Sequence, residues 1–419
     1  MTRNRSICLS LNNNLQVPES EEKVMSISAR QENVHKYFSF AAAMTFAAMT
    51  LMPATAHAQD AAQASQLGGG RVTQAQTQRP EEIENYWTAE RLLSAKPFQI
   101  QPELAADGRP MAASQTPAAA GPSVKVAGAR PTLAFNANLS KSLVSESDLA
   151  RRQTNVQAEA AVTPQAFSPI GATFTTTRVF PAAATHTVYP YSTVGALFWT
   201  DPVDNSNWFC SASVLRPRVV ATAGHCVASP ANGNIPAHFH THFLFVPGYL
   251  NGTAPFGVFS AYFATTTATW YYSNGSVPNA QDVGLLDVYD RNGYKLGQYT
   301  GYLGYWTNQL SNNNVTMLGF PCNLDGCEQL EANYAQTYEY GGNNTYIFGS
   351  NFGGGSSGGP YIRDFGKAPT GSLTTEGGNW LIAVNSYGPV NLGYLYSGAS
   401  NLNSEFLSLL NAACNAGGC

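Results

Sequence analysis

Thr222-Ala223-Gly224-His225-Cys226 closes an apolar run that begins near Val214. The run is short, rich in valine and stopped by glycine, which reads as a strand delivering a histidine to its end. Working outward, Val194–Trp199, Phe243–Val246, Val283–Val288, Val315–Phe320 and Trp380–Asn385 have the same character, with Gly, Asn and Pro clusters between them. Many short strands with turn signals, from about Arg178 onward, suggest an antiparallel sandwich or barrel. The end departs from this pattern. Phe406, Leu407, Leu409 and Leu410 fall at helical spacing between Ser404 and Ala413, and Asn403 or Ser404 is placed to cap that helix.

Three segments carry chemistry. A His at a strand end can present its ring to a cleft, and Cys226 could pin the loop to Cys210; a general base needs such fixed placement. The same pair also suits a purely structural role. In Gly353-Gly354-Gly355-Ser356-Ser357-Gly358-Gly359-Pro360, glycines around a serine permit a sharp turn and leave amide N–H groups free for a developing oxyanion. A flexible Gly/Ser linker is the alternative, weakened by the immediate return to strand-like Pro360-Tyr361-Ile362. Ser357 is the better nucleophile candidate than Ser356, since Gly-Gly-Pro follows it directly. In Asp282-Val283-Gly284-Leu285-Leu286, an Asp directly before an apolar run can be partly buried and orient an imidazole. Asp287 and Asp290 are expected as solvated turn or strand-end residues.

Taken in order, these segments resemble the chymotrypsin-type (trypsin-like) serine proteases. That family reads T-A-G-H-C, then D-x-A-L-L, then G-D-S-G-G-P; this chain departs at Gly284 and Ser356. Ser386-Tyr387-Gly388, after the apolar Leu381–Val384, is similar to the family's S-W-G strand beside the substrate cleft. Tyr189-Pro190-Tyr191-Ser192-Thr193-Val194-Gly195 and Gly319-Phe320-Pro321 resemble segments of bacterial glutamyl-endopeptidase-like secreted enzymes. The likeness runs from about Arg178 to the end and leaves out the leader.

The resemblance implies an all-β fold of two six-stranded antiparallel β-barrels with the active site between them, followed by the C-terminal helix. It implies that Ser357 attacks a peptide carbonyl, His225 moves the proton, and Asp282 holds the imidazole. The N–H groups of Gly355 and Ser357 would bind the oxyanion. No metal or organic cofactor is implied, the substrates are proteins or peptides, and a monomer is expected. Cys210 and Cys226 sit where the family closes its histidine loop with a disulfide. Counting back from Ser357, the pocket floor falls at about Asn351, with Phe352 next; Asn385, Ser386, Tyr387 and Gly388 complete the substrate-binding set. Without a carboxylate at Asn351, a preference for Lys or Arg is not expected. Glutamyl endopeptidases carry His at the place of Asn385, so an uncharged side chain is the expectation. Ser356 replaces the Asp that pairs with a new N-terminus in trypsin-like zymogens, which argues against activation of that kind. A rival is a catalytically silent secreted binding protein on a protease fold; its usual sign is a missing triad residue, and none is missing.

The whole chain fits export. Its 419 residues carry a net charge of −4 and only 11% charged residues, a balance unlike nucleic-acid or anionic-membrane binders. Arg30, His35 and Lys36 precede a small apolar run from Tyr37 to Met52, and Ala56-His57-Ala58 has the spacing of a signal-peptidase site. The run is too short to span a bilayer comfortably. Met25 gives a signal of more ordinary length and is the expected start. The expected divisions are thus a signal region 1–58, a largely disordered propeptide 59–178 and a protease domain 179–419. The Ala-, Gln-, Pro- and Ser-rich stretch from Gln59 to Pro164 is a poor core former; a linker or stalk is the alternative to an inhibitory propeptide. Glu81 to Leu93 suggests a short helix, and Arg151-Arg152 and Arg178-Val179 are candidate processing points. Cys8 lies in the part removed or never made. The other six cysteines form an even set, as in disulfides of an oxidising, extracellular or periplasmic space, and Cys210–Cys226, Cys322–Cys327 and Cys414–Cys419 are the simplest pairs. His238, His240 and His242 would share one strand face; such a set could bind zinc, but an exposed polar edge is commoner and no metal is assigned. His186 reads as a surface residue. The aromatics at 270–272 and 302–306 suit either a carbohydrate surface or core and cleft walls.

Overall fold

The computed structural model describes residues 70–105, 110–111, 121–150, 173–339, 345–366, 377–389 and 394–419. The expected export signal, Cys8 and the Arg151-Arg152 pair lie outside them.

Six strands make a first ring: β1 (Val194–Thr200), β2 (Asn207–Val214), β3 (Val219–Thr222), β4 (Thr241–Pro247), β5 (Phe259–Thr267) and β6 (Gly284–Val288). They pair antiparallel in the order β5-β4-β1-β2-β3-β6, and β6 returns to β5, so the barrel closes and its six strands leave no open edge. Leu197, Phe209, Val246, Leu285 and Leu286 fill the core. The sequence reads as one strand from Val214 to Thr222, but Pro217 cannot donate to a ladder. The chain turns there, and Leu215 N bonds Val219 O at 2.8 Å.

A second set comprises β7 (Asn314–Gly319), β8 (Glu331–Gln336), β9 (Thr345–Gly349), β10 (Pro360–Arg363), β11 (Trp380–Tyr387) and β12 (Tyr396–Asn401). The pairing runs β8-β7-β10-β11-β12-β9. The strand that begins as β8 resumes at Tyr338–Glu339 and pairs there with β9, and Asn333 on β8 donates to Gly349 O at 2.9 Å. These two links bring the ends of the sheet round on each other. The helix Ser404–Asn415 follows, capped by the Asn403 side chain, and buries Phe406, Leu409 and Leu410 on the first ring's core. Disulfides join Cys210 to Cys226, Cys322 to Cys327 and Cys414 to Cys419.

The described residues of the leader differ from the expected disorder. Arg71–Ala75 pairs antiparallel with β5, and the single expected helix is two, Pro80–Tyr86 and Ala89–Ser94. Ile83, Trp87, Leu92 and Ala95 are buried in the first ring's core, and Trp87 Nε1 donates to His242 O at 2.6 Å. Further on, Lys125–Val126 pairs with Gly304–Trp306, and Lys141–Ser142 with Thr253–Ala254. Composition hides this because a few large apolar anchors suffice; each buried one contributes about 1.5–3 kcal/mol.

Two polar expectations are also corrected. His186 has no exposed surface; its Nδ1 lies 2.7 Å from Tyr249 O, and burial lowers its pKa. Asp287, on β6, is fully buried rather than solvated, while Asp290 takes the Arg218 guanidinium at 2.6 and 2.7 Å. Burial pushes Asp287 from 3.8 up to about 8, against the opposing pull of Arg218. A carboxyl raised on folding favours the protonated native state, so its contribution is full below the unfolded value and is lost as pH rises through about 8. Asp287→Asn cannot ionise. Urea unfolding from about pH 4 to about pH 9 should show the variant gaining on the wild type throughout that window.

Candidate active site

The turn Gly224–Cys226 follows β3 directly, and the Cys226 disulfide ties it to β2, so the His225 ring is fixed from two sides. Asp282 lies just ahead of β6. Thr267 Oγ1 donates to Gln281 O at 2.5 Å and Thr266 Oγ1 to Val283 O at 3.0 Å, clamping the backbone on either side of it. Asp282 has no exposed surface and His225 has 2%. One carboxylate oxygen accepts His225 N at 2.8 Å; the other lies 2.7 Å from His225 Nδ1 and accepts Ser386 Oγ, from β11, at 2.6 Å. This grip places the Nδ1 proton toward Asp282 and leaves Nε2 facing the cleft as the basic nitrogen. A Cβ on Gly284 would lie 2.5 Å from Val227 Cγ2 and 3.0 Å from Ala223 O. That crowding accounts for glycine where the D-x-A-L-L pattern has alanine.

Ser357 stands in the turn between β9 and β10, 3% exposed. Gly355 before it has φ +92, and a Cβ there would sit 2.7 Å from Phe320 O, so only glycine fits. Ser356 Oγ donates to Gly353 O at 2.7 Å and accepts Asn385 Nδ2 at 3.1 Å. Ser211 Oγ donates to Gly355 O at 2.8 Å and accepts Phe320 N at 3.0 Å. The turn is thus shaped by uncharged hydrogen bonds.

The leader supplies a residue that no motif announced. Phe98 O accepts Ser357 Oγ at 3.1 Å and Gly355 N at 3.3 Å, while Phe98 N donates to Phe209 O at 3.0 Å. Its ring lies 5.1 Å from that of His225 at an interplanar angle of 22°, with Trp199 and Trp208 at 5.4 and 5.0 Å. His225 Nε2 has no hydrogen-bond partner among the described residues.

Of the pocket candidates, Asn351 Oδ1 accepts from Thr176 Oγ1 at 2.6 Å, and Phe352 is buried in the second core. Asn385 bonds Ser356 and Tyr361, Ser386 bonds Asp282, and Tyr387 is buried with Trp270 and Tyr396. Gly388 O accepts Gln99 Nε2 at 3.1 Å. The three-histidine face does not form. His242 takes φ +53 and stacks on Tyr86, while His240 lies buried against Trp199. Asp201, His238 and His240 do bring donor atoms within 4.8 Å of one another, while His238 Nε2 bonds Asp201 and His240 Nε2 pairs with Ser229 Oγ.

No family model matches the chain. An extracellular metalloprotease of Bacillus subtilis (strain 168) is 28% identical over 143 residues, which are 32% of this chain and 41% of that protein's length. The protease Anisep of Arthrobacter nicotinovorans is a similar solved structure, at 26% identity and a TM-score of 0.45, covering 54% of this chain and 96% of its own. A Glu endopeptidase is another, at 17% identity and a TM-score of 0.42, covering 57% and 95%.

The Gly284 contact has a direct test. Gly284→Ala should cost about 1–3 kcal/mol in urea unfolding through overpacking, and adding Val227→Ala should recover a large part of it.

Proposed function

We propose that the chain is the precursor of a secreted serine endopeptidase acting through Ser357, His225 and Asp282. One observation carries the reading: Ser357 Oγ and Gly355 N converge on a single peptide carbonyl oxygen, beside an imidazole gripped by a buried carboxylate. A nucleophile and an oxyanion donor around one acyl group are what acyl transfer needs.

In the proposed reaction Ser357 Oγ attacks the peptide carbon while His225 Nε2 takes its proton. The negative charge gathers on the carbonyl oxygen, where the N–H groups of Gly355 and Ser357 receive it. Collapse breaks the C–N bond, and the imidazolium gives its proton to the leaving amine. Water then repeats the sequence on the acyl-enzyme, and Asp282 stabilises the imidazolium throughout.

The pocket chemistry favours an uncharged residue on the acyl side of the cut bond. Thr176 Oγ1 lies 2.6 Å from the side-chain oxygens of both Asn351 and Asn333, so the groups at the expected floor are neutral. Three disulfides among the described residues fit an oxidising destination. No described helix is long and apolar enough to cross a membrane.

Digestion of a mixed peptide library by the chain freed of its leader, read by mass spectrometry, tests this. Cleavage after uncharged residues is expected, absent in Ser357→Ala and lowered about 10⁴-fold in kcat by Asp282→Asn. Equal cutting by Ser357→Ala would remove Ser357 as nucleophile, and silence of the wild type would favour the binding-protein reading.

A further inference from the structure

We infer that Lys96–Ile100 threads the cleft in the direction opposite to a substrate, so the leader silences the precursor while offering no cleavable bond. The inference rests on the roles proposed for Ser357 and His225 and adds how that site is regulated.

The direction is set by the pairing. Lys96 and Pro97 lie parallel to β2, opposite Trp208 and Phe209, and Phe98 N bonds Phe209 O. The chain then crosses to the other wall, where Gln99 Nε2 reaches Gly388 O at 3.1 Å and Pro389 O at 3.4 Å. Ile100 packs there against the cluster of Trp270, Val277, Tyr387 and Tyr396. From N- to C-terminus the segment therefore runs from β2 toward the end of β11.

A bond that is to be cut must be presented the other way. Its acyl side chain belongs in the pocket by Asn351 and Asn385–Gly388, with the leaving nitrogen on the β2 side within reach of His225. In the leader, Phe98 is the acyl residue, yet its ring lies over His225 and against Trp199 and Trp208, on the leaving-group side. The nitrogen that would leave belongs to Gln99, whose side chain bonds the opposite wall.

Two further features interrupt the proton path. Ser357 donates its hydroxyl proton to Phe98 O, so it is not aimed at His225. His225 Nε2 is left without a partner beneath the Phe98 ring. Attack requires the proton to pass from Oγ to Nε2 and on to the leaving nitrogen, and each transfer needs hydrogen-bond geometry. The carbonyl is thus bound by the nucleophile and an oxyanion donor and still cannot be processed.

The segment stays in place because it is anchored at both ends. Upstream, Ile83, Trp87 and Leu92 are buried in the first ring's core; downstream, Lys125–Val126 joins Gly304–Trp306. A tethered segment acts at an effective concentration of order millimolar or above, so a few contacts hold it in the cleft.

The full-length precursor provides the test. Wild type and Phe98→Ala are exposed to a fluorophosphonate, labelling of Ser357 is followed, and the Phe98–Gln99 bond is checked by mass spectrometry over a long incubation. The wild type should label at least tenfold more slowly than Phe98→Ala and keep that bond intact, with amide exchange at Phe98 and Gly355 slowed in the wild type. Equal labelling of the two, or early cleavage at Phe98–Gln99, overturns the inference while leaving the proposed catalysis standing. Labelling of neither form, nor of the chain freed of its leader, would overturn the catalysis and this inference with it.

Discussion

The cleft is organised by the carboxylate of Asp282. A carboxylate with no exposed surface must have its lone pairs filled by protein donors, since leaving one buried and unpaired costs several kcal/mol. Two of its three donors are the backbone N–H and the ring Nδ1 of His225, and the third is the hydroxyl of Ser386. The first two fix the turn after β3 and the plane of the imidazole together. The third comes from β11, in the other ring, so one buried charge sets the ring orientation and joins the two halves that form the cleft.

The turn that carries Ser357 follows a different logic. Where the resembled zymogens use an Asp that must await a new N-terminus, Ser356 and Ser211 knit the turn with neutral hydrogen bonds. Nothing in that network depends on a cut, and Gly355 N already donates to a carbonyl. The turn therefore holds its shape with Phe98 seated in the cleft.

The sequence was most informative where chemistry demands particular side chains at short range. His225, Asp282 and Ser357 stand out because glycine, cysteine and apolar neighbours mark them, and the structure draws the three to one cleft. In the first ring, β1, β3, β4 and β6 showed through their valines, leucines and phenylalanines. The strands around Phe259, Glu331 and Tyr396 did not, since their Thr, Asn, Ser and Gly content mimics loops. The described part of the leader departs from the expected disorder because that expectation rests on average composition, whereas docking depends on a few residues such as Ile83 and Trp87. Phe98 carries no signal because it acts by its backbone carbonyl, which every residue has, and by a ring whose contacts with His225, Trp199 and Trp208 only the fold creates. Asp287 looked like a strand-end acid; only the fold reveals that it points inward.

The strand Phe174–Arg178 bears on how the chain can be trimmed. It covers the outer edge of Glu331–Ala335, Val179 N continues the ladder to Leu330 O at 2.9 Å, and the Arg178 guanidinium is held by Asp325. A protease must peel a strand out of its sheet before cutting it, so Arg178-Val179 is a poor site while this pairing lasts. A chain that began at Val179 would lack its cover strand and bare a row of unpaired N–H and C=O groups along Glu331–Ala335. Such an edge recruits strands from other molecules. Phe174–Arg178 therefore guards the Glu331–Ala335 edge against pairing with other molecules.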